Sequence, residues 1–291
     1  MINATTVGYE KSILEVTDIK NVGGALKRRM ASQGAIAQLR KGEIMATEKK
    51  VAIVTGASKG IGAGIAKALA AEGYVVVVNH ASSKTGAEKV VGEIERAGRK
   101  ALAIHADVSK QAEVKQLFSE TLKAFGYLNV LINNAAVYGP SPLDAITEEH
   151  FHWMFNVNVL GLTFATQEAV KAFGDKGGSI VNVGSTVTRI PSPGFSIYSA
   201  TKAAVESLTK DWAHELGKKN IRVNALLPGM VDTEGTRTLG RIGSEAEKLT
   251  IARTPLGRTG YPEDIAPLAV FLASDKSLWI TGELIAASGG A

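Results

Sequence analysis

The chain has 291 residues, 45% of them hydrophobic and 21% charged, a balance that fits a globular enzyme and excludes a disordered or fibrous chain. It contains no cysteine, which excludes disulfides and thiolate metal sites and suits a reducing cytoplasm. The formal net charge is +5, but residues 1–46 hold seven basic and four acidic residues, leaving +2 on the rest. A nearly neutral body implies no nucleic-acid partner, and no apolar run approaches the roughly 18 residues of a membrane span.

Residues 1–46 read as an N-terminal extension. They lack the apolar centre of a secretory signal, and their four acids fit a transit peptide poorly. Met45 stands immediately before the first expected strand, so a leader or a mis-set start is preferred over a dispensable helical extension or an organelle-targeting segment. One domain is expected over residues 47–291.

From Lys50 on, short β-branched runs alternate with helical stretches. Strands are expected over 51–55, 74–79, 101–105, 130–133, 179–184, 222–227 and 284–286, with helices between them, notably over 61–72, 84–97, 111–125 and 198–217. This is the α/β pattern of a doubly wound parallel sheet covered on both faces. Residues 265–273, the most apolar run, read as a buried helix. Residues 228–259, rich in Gly and Thr with a weak helical rhythm, are expected to form an irregular lid.

The first strand leads into Thr55-Gly-Ala-Ser-Lys-Gly-Ile-Gly62. Gly56, Gly60 and Gly62, with Ser58, Lys59 and Ile61 between them, suit a tight turn that lets a pyrophosphate approach the following helix. The second strand ends in Asn79-His80-Ala81-Ser82-Ser83, without the acid that would grip ribose hydroxyls and repel a 2′-phosphate. Neutral groups on Asn79, Ser82 and Ser83, with Lys59 nearby, favour NADP(H). Asp107, followed by Val108, suits either an adenine amino group or the cap of the next helix. Asn133-Asn134-Ala135-Ala136 ends the fourth strand, where amides can bond backbone and cofactor ribose or simply form a turn.

Tyr198-Ser-Ala-Thr-Lys202 follows Ser185 by thirteen residues. On a helix, Tyr198 and Lys202 share a face one turn apart, which sets a cation beside a phenol that serves as proton donor. With the phosphate-binding turn, this points to hydride chemistry on a carbonyl or alcohol with a nicotinamide carrier. His150 and His152 do not share a helix face, so no metal site is expected there.

In this order TGASKGIG (55–62), NNAA (133–136), Asn158, Ser185, YSATK (198–202) and Pro228-Gly229 resemble the classical short-chain dehydrogenase/reductase family over roughly residues 50–290. The resemblance implies a single Rossmann-type domain with a seven-stranded parallel sheet, commonly assembled as a homotetramer. It also implies a catalytic tetrad of Asn158, Ser185, Tyr198 and Lys202. Tyr198 would protonate the substrate oxygen, Ser185 would bond that oxygen, Lys202 would hold the nicotinamide ribose and ease ionisation of Tyr198, and Asn158 would hold a water. Pro228 and Gly229 would flank the nicotinamide, with Val231 and Thr233 near its carboxamide. Two departures stand out: Ala136 replaces a common glycine, harmless if its φ is negative, and Ser288 replaces a common aspartate.

The walls expected around a small-molecule substrate carry Val137, Tyr138, Pro140, Val187, Ile190, Pro193 and Phe195, which suits a hydrophobic ketone or ketoester. An NADPH-dependent carbonyl reductase is therefore the leading reading. A 3-oxoacyl-[acyl-carrier-protein] reductase is the runner-up and would need a cluster among Arg189, Arg237, Arg241 and Arg253. A glucose-type sugar dehydrogenase and a non-catalytic NADP(H) sensor complete the alternatives.

Overall fold

The computed structural model describes residues 49–291, so the expected extension over 1–46 and its start at Met45 lie outside the described residues. The apolar runs form strands β1 (Val51–Val54), β2 (Val75–His80), β3 (Ala101–His105), β4 (Val130–Asn133), β5 (Gly178–Val183), β6 (Ile221–Pro228) and β7 (Leu284–Ala287). They make one seven-stranded sheet in the order β3-β2-β1-β4-β5-β6-β7, parallel throughout. β1, β2 and β4 are buried at every residue, which is why they read as continuous apolar runs without alternation.

Helices cover both faces: α1 (Gly60–Ala71), α2 (Lys84–Arg96), α3 (Gln111–Phe125), α4 (Glu148–Phe155), α5 (Leu162–Phe173), α6 (Ser196–Leu216), α7 (Glu234–Thr238), α8 (Glu245–Arg253) and α9 (Pro262–Ala273). Alternate residues of β1 serve two separate cores. Ala52 and Val54 meet α1, α2 and α9 through Ile65, Leu69, Val90 and Ile265. Val51 and Ile53 belong with Leu117, Ala165, Ala213 and Leu216 of α3, α5 and α6. The chain winds from β1 out to β3, then returns to place β4 on the other side of β1. At that reversal the connections leave in opposite directions and open a crevice at the carboxyl ends of β1 and β4.

Most boundaries fall within two residues of the sequence expectation. The exception is 228–259, which is not irregular but holds α7 and α8. Thr233 Oγ1 accepts from Thr236 N at 3.2 Å, and Ser244 Oγ accepts from Glu247 N at 3.3 Å, so each helix starts on a side-chain cap. Neither helix buries a residue, so the apolar rhythm that marks a core helix is absent. A second feature is the six-residue π-helical turn Asn156–Gly161 between α4 and α5, a local widening often found at functional sites.

Ile132, in the middle of the sheet beside the crevice, is fully buried. Ile132→Ala is expected to lower stability by about 2–5 kcal/mol, read as a reduced urea midpoint with an unchanged slope.

Candidate active site

At the reversal point a small set of polar groups stitches β1 to β4. Thr55 Oγ1 donates to Ile132 O at 3.3 Å and accepts from the N–H groups of Asn134 and Ala135, both at 3.0 Å. Asn134 Nδ2 donates to Thr55 O at 2.8 Å and to Gly56 O at 3.0 Å. From the other side, Asn79 Oδ1 accepts from Gly56 N at 3.2 Å. Gly56 is thus held by both its N–H and its C=O at φ +61°, a conformation that a side chain would strain. A Cβ on Gly62 would collide with Asn134 Nδ2 and lie 2.6 Å from Gly56 O, so the glycine there keeps room for the amide.

The result is a tight backbone turn at the start of α1 in which Gly56 and Gly62 have no room for a side chain, a geometry that suits a dinucleotide pyrophosphate. Ser58, Lys59, Gly60 and Ile61 form its rim, and Lys59 is exposed. Two cofactor residues expected from the sequence are otherwise engaged. The Asn79 amide is spent on Gly56 N, on Ala106 O at 3.0 Å and on Ile104 O at 3.4 Å, so it shapes the turn rather than facing a ribose. His80 is buried, packs edge-on to His105 at 5.5 Å, and has a buried Nδ1 without a partner. Burial first, then His105, disfavours its protonated form. Ala81 and Ser82 are exposed and Ser83 half-buried, so these and Lys59 remain accessible.

Asp107 does not cap α3, whose N-cap residue is Lys110. Its Oδ1 accepts from Ser109 N at 3.0 Å and Ser109 Oγ at 2.7 Å, forming a local turn beside Val108. Ala136 avoids positive φ, because Asn220 is the one non-glycine residue with positive φ among the described residues.

The catalytic end is built on the start of α6. Tyr198 lies in its first turn and Lys202 one turn later, 3% exposed. Ser185 follows β5, and its Oγ accepts from Val187 N at 3.2 Å, which leaves its hydrogen available to another acceptor. Tyr198 and Ser185 are hydrogen-bonded through their hydroxyls. Burial pushes the Tyr198 phenol well above its ordinary range, the Ser185 bond opposes that, and Tyr138 adds to it. The expected help from Lys202 is missing from this geometry. Its Nζ donates to Val183 O at 2.8 Å and sits 5.7 Å from the Tyr198 ring centroid, so the cation bonds backbone rather than the phenol oxygen. Burial lowers the Lys202 pKa from its usual 10.5 to about 8. The pair therefore presents a neutral phenol, the form that donates a proton.

Asn158 lies in the π-helical turn and is buried. Its Oδ1 accepts from Val137 N at 2.8 Å, and its Nδ2 donates to Val137 O at 2.9 Å and Thr201 Oγ1 at 3.1 Å. Thr201 Oγ1 in turn donates to Tyr198 O at 2.7 Å. The amide braces the segment after β4 against the catalytic helix, a role for Thr201 and Val137 that motif reading missed. On the opposite side Thr186 Oγ1 donates to Pro228 O at 3.3 Å, Gly229 N donates to Ala287 O at 3.1 Å, and buried Val231 leads to Thr233 at the cap of α7.

The walls around Tyr198 are aromatic: the Tyr138 ring lies at 5.8 Å and the Phe195 ring at 6.4 Å. Ser141 N donates to Gly194 O at 2.7 Å, tying the two wall segments together. Three of the four arginines have partners of their own. Arg237 pairs with Asp232 at 2.7 and 2.9 Å, Arg241 lies over Phe195 at 5.5 Å, and Arg189 reaches Leu284 O at 3.4 Å. His150 stacks on Trp153 and His152 faces Glu148 at 3.6 Å, away from each other.

Comparisons with known proteins agree with this arrangement. The family described as Enoyl-(Acyl carrier protein) reductase matches residues 56–291. An uncharacterized oxidoreductase of Methylorubrum extorquens is 53% identical over 84% of this chain and 98% of its own length. A 3-oxoacyl-[acyl-carrier-protein] reductase of Staphylococcus aureus is 41% identical over 83% and 97%. The solved short-chain dehydrogenase/reductase of Serratia marcescens superposes with a TM-score of 0.78 at 37% identity, covering 83% of this chain and 97% of that one.

The buried lysine has a thermodynamic signature. Between pH 8 and 10.5 the native state has released the Lys202 proton while the unfolded chain still holds it, so stability rises with pH across that window. Below pH 8 its burial costs about 3 kcal/mol. Wild type is expected to gain stability relative to Lys202→Met as pH is raised from 7 to 9.5, measured by urea unfolding at each pH.

Proposed function

The chain belongs to the classical short-chain dehydrogenase/reductase family and is an oxidoreductase using a nicotinamide cofactor; we propose that it is an NADPH-dependent carbonyl reductase acting on ketones and ketoesters. The observation that carries this reading is the Tyr198–Ser185 hydroxyl pair, half-buried, neutral and walled by the Tyr138 and Phe195 rings. A nicotinamide held beside Lys202, Pro228 and Gly229 would supply the hydride for the carbonyl carbon. Ser185, whose oxygen accepts from Val187 N, would turn its hydroxyl from Tyr198 to the carbonyl oxygen when substrate enters. Tyr198 gives that oxygen its proton, and the secondary alcohol leaves. Lys202 Nζ is turned to Val183 O, so its part is to sit beneath Tyr198 rather than to hand it a proton directly.

The NADP preference is supported by the absence of a carboxylate over residues 79–83 and by exposed Lys59 at the cradle. An apolar, aromatic wall supports a hydrophobic substrate over a free sugar. A homotetramer in the cytoplasm completes the proposal. Exposed Phe151, Trp153 and Leu160 on α4 and the π-helical turn support a subunit contact, and no described helix is long and apolar enough to cross a membrane.

The second reading, a 3-oxoacyl-[acyl-carrier-protein] reductase, is favoured by the 41% identity to the S. aureus enzyme of that name. Against it, Arg237 is neutralised by Asp232 and Arg189 reaches Leu284 O, which leaves Arg241, over Phe195, to receive an acidic carrier.

Tyr198→Phe is expected to lower kcat by about 10²–10⁴-fold with NADPH affinity retained, measured by steady-state kinetics and fluorescence titration. Assayed with NADPH and NADH, an aryl ketone and a β-ketoester are expected to turn over with NADPH. Turnover restricted to an acetoacetyl thioester would favour the carrier-protein reading, and a preference for NADH would remove the phosphate-binding role of Lys59, Ser82 and Ser83.

A further inference from the structure

The start of the lid is seated on the start of α1. Glu234, the first residue of α7, accepts a hydrogen bond through Oε2 from Gly60 N at 3.1 Å, across 174 residues of sequence. The Thr233 side chain lies 3.4 Å from where a Cβ on Gly60 would stand. The first N–H groups of a helix have no partner within it and carry partial positive charge, so a carboxylate there makes the same pairing that a phosphate makes.

Little else holds α7 down. None of its residues is buried. Its attachments are the Thr233/Thr236 cap, a Thr236 Oγ1 bond to Val231 O at 2.9 Å, the reach of Glu234 to Gly60, and Tyr138. The Tyr138 hydroxyl is hydrogen-bonded to Thr233 and occupies the space that a side chain on Gly235 would need. The Tyr138 ring is itself 5.8 Å from Tyr198. Gly60, Glu234, Thr233, Tyr138 and Tyr198 therefore form a continuous row from the cofactor turn to the proton donor. Arg237, the cation nearest in sequence to Glu234, is committed to Asp232 in a bidentate pair. A simpler account makes Glu234 an ordinary first-turn acid on its own helix. Yet α7 has only five residues, and the carboxylate bonds the other, twelve-residue helix.

We infer that Glu234 is a built-in competitor for the dinucleotide: its carboxylate fastens the lid to the anion-binding start of α1 and has to withdraw when the phosphates arrive. Cofactor entry thereby unfastens α7 and frees the Thr233–Tyr138 contact beside the catalytic tyrosine. This rests on the reading of the glycine turn as the pyrophosphate cradle. It makes Glu234 a determinant of cofactor affinity that opposes binding, although it lies beside the site.

The test uses NADPH fluorescence titration of the full chain, together with hydrogen exchange of the 231–240 backbone amides in the absence of nucleotide. Glu234→Gln and Glu234→Ala are each expected to tighten NADPH binding by about two- to fivefold, the size of a carboxylate's interaction with a helix N-terminus. Both are also expected to speed exchange across α7. Glu234 is exposed, so neither change threatens folding. Wild-type binding with unchanged or weaker affinity in both variants, or unchanged exchange across α7, overturns the inference alone. Absence of saturable NADPH and NADH binding by wild type overturns the functional reading and the inference with it.

Discussion

The hydroxyl of Thr55 and the amides of Asn134 and Asn79 hold the carboxyl ends of β1 and β4 at a fixed separation, and the rest of the site is built outward from there. A doubly wound sheet opens a crevice where its connections diverge, but nothing in that topology makes the crevice rigid. Here the carbonyls of Thr55, Gly56 and Ile132 and the N–H groups of Gly56, Asn134 and Ala135 each have a side-chain partner. Net values near 1 kcal/mol per bond understate their importance, because losing one leaves a poorly solvated carbonyl or amide behind. The glycines of the turn answer to the same constraint. Gly62 is small because the Asn134 amide needs its space, whatever a phosphate also requires there.

Tyr198 is held in the same way, by short polar bonds between distant segments. Asn158 joins Val137 to Thr201, and Thr201 returns to the Tyr198 carbonyl. Deeper in the sheet, Asn133 and Asn182 are register partners on β4 and β5. Their amides run from Thr166 on α5, through each other, to Thr209 on α6. An apolar replacement of this row could fill the volume but would not fix how far α6 slides along the sheet, and α6 carries both Tyr198 and Lys202. Lys202 is the costly member. Its ammonium is buried against a backbone carbonyl with no counter-ion among the described residues, which is unfavourable for folding and lowers its pKa to about 8.

The lid contrasts with both. Helices α7 and α8 are capped but bury nothing, so they draw their stability from termini and a few contacts rather than from a core. Segments of that kind are the ones that open at low free-energy cost, which is what a cover over a cofactor cleft requires.

Much of this was legible in the sequence wherever the physics is local. Strand runs are continuous and apolar because both faces of a parallel sheet are covered, the glycine turn follows its strand directly, and Tyr198 and Lys202 share a face because four residues make about one helical turn. The caps at Thr233 and Ser244 were also readable, but without an apolar stripe beside them they did not outweigh the glycines and threonines around them. Tertiary structure alone decided where the polar side chains spend their bonds. Asn79 could serve a ribose or a backbone, Asp107 a helix or a turn, and Lys202 a phenol or a carbonyl. The choice depended on groups 23 residues away for Asn79 and 19 away for Lys202, while Asp107 was settled by Ser109 just beyond it. A side chain's hydrogen-bonding capacity is written in its identity, but its partner is set by whichever group the fold brings within about 3 Å.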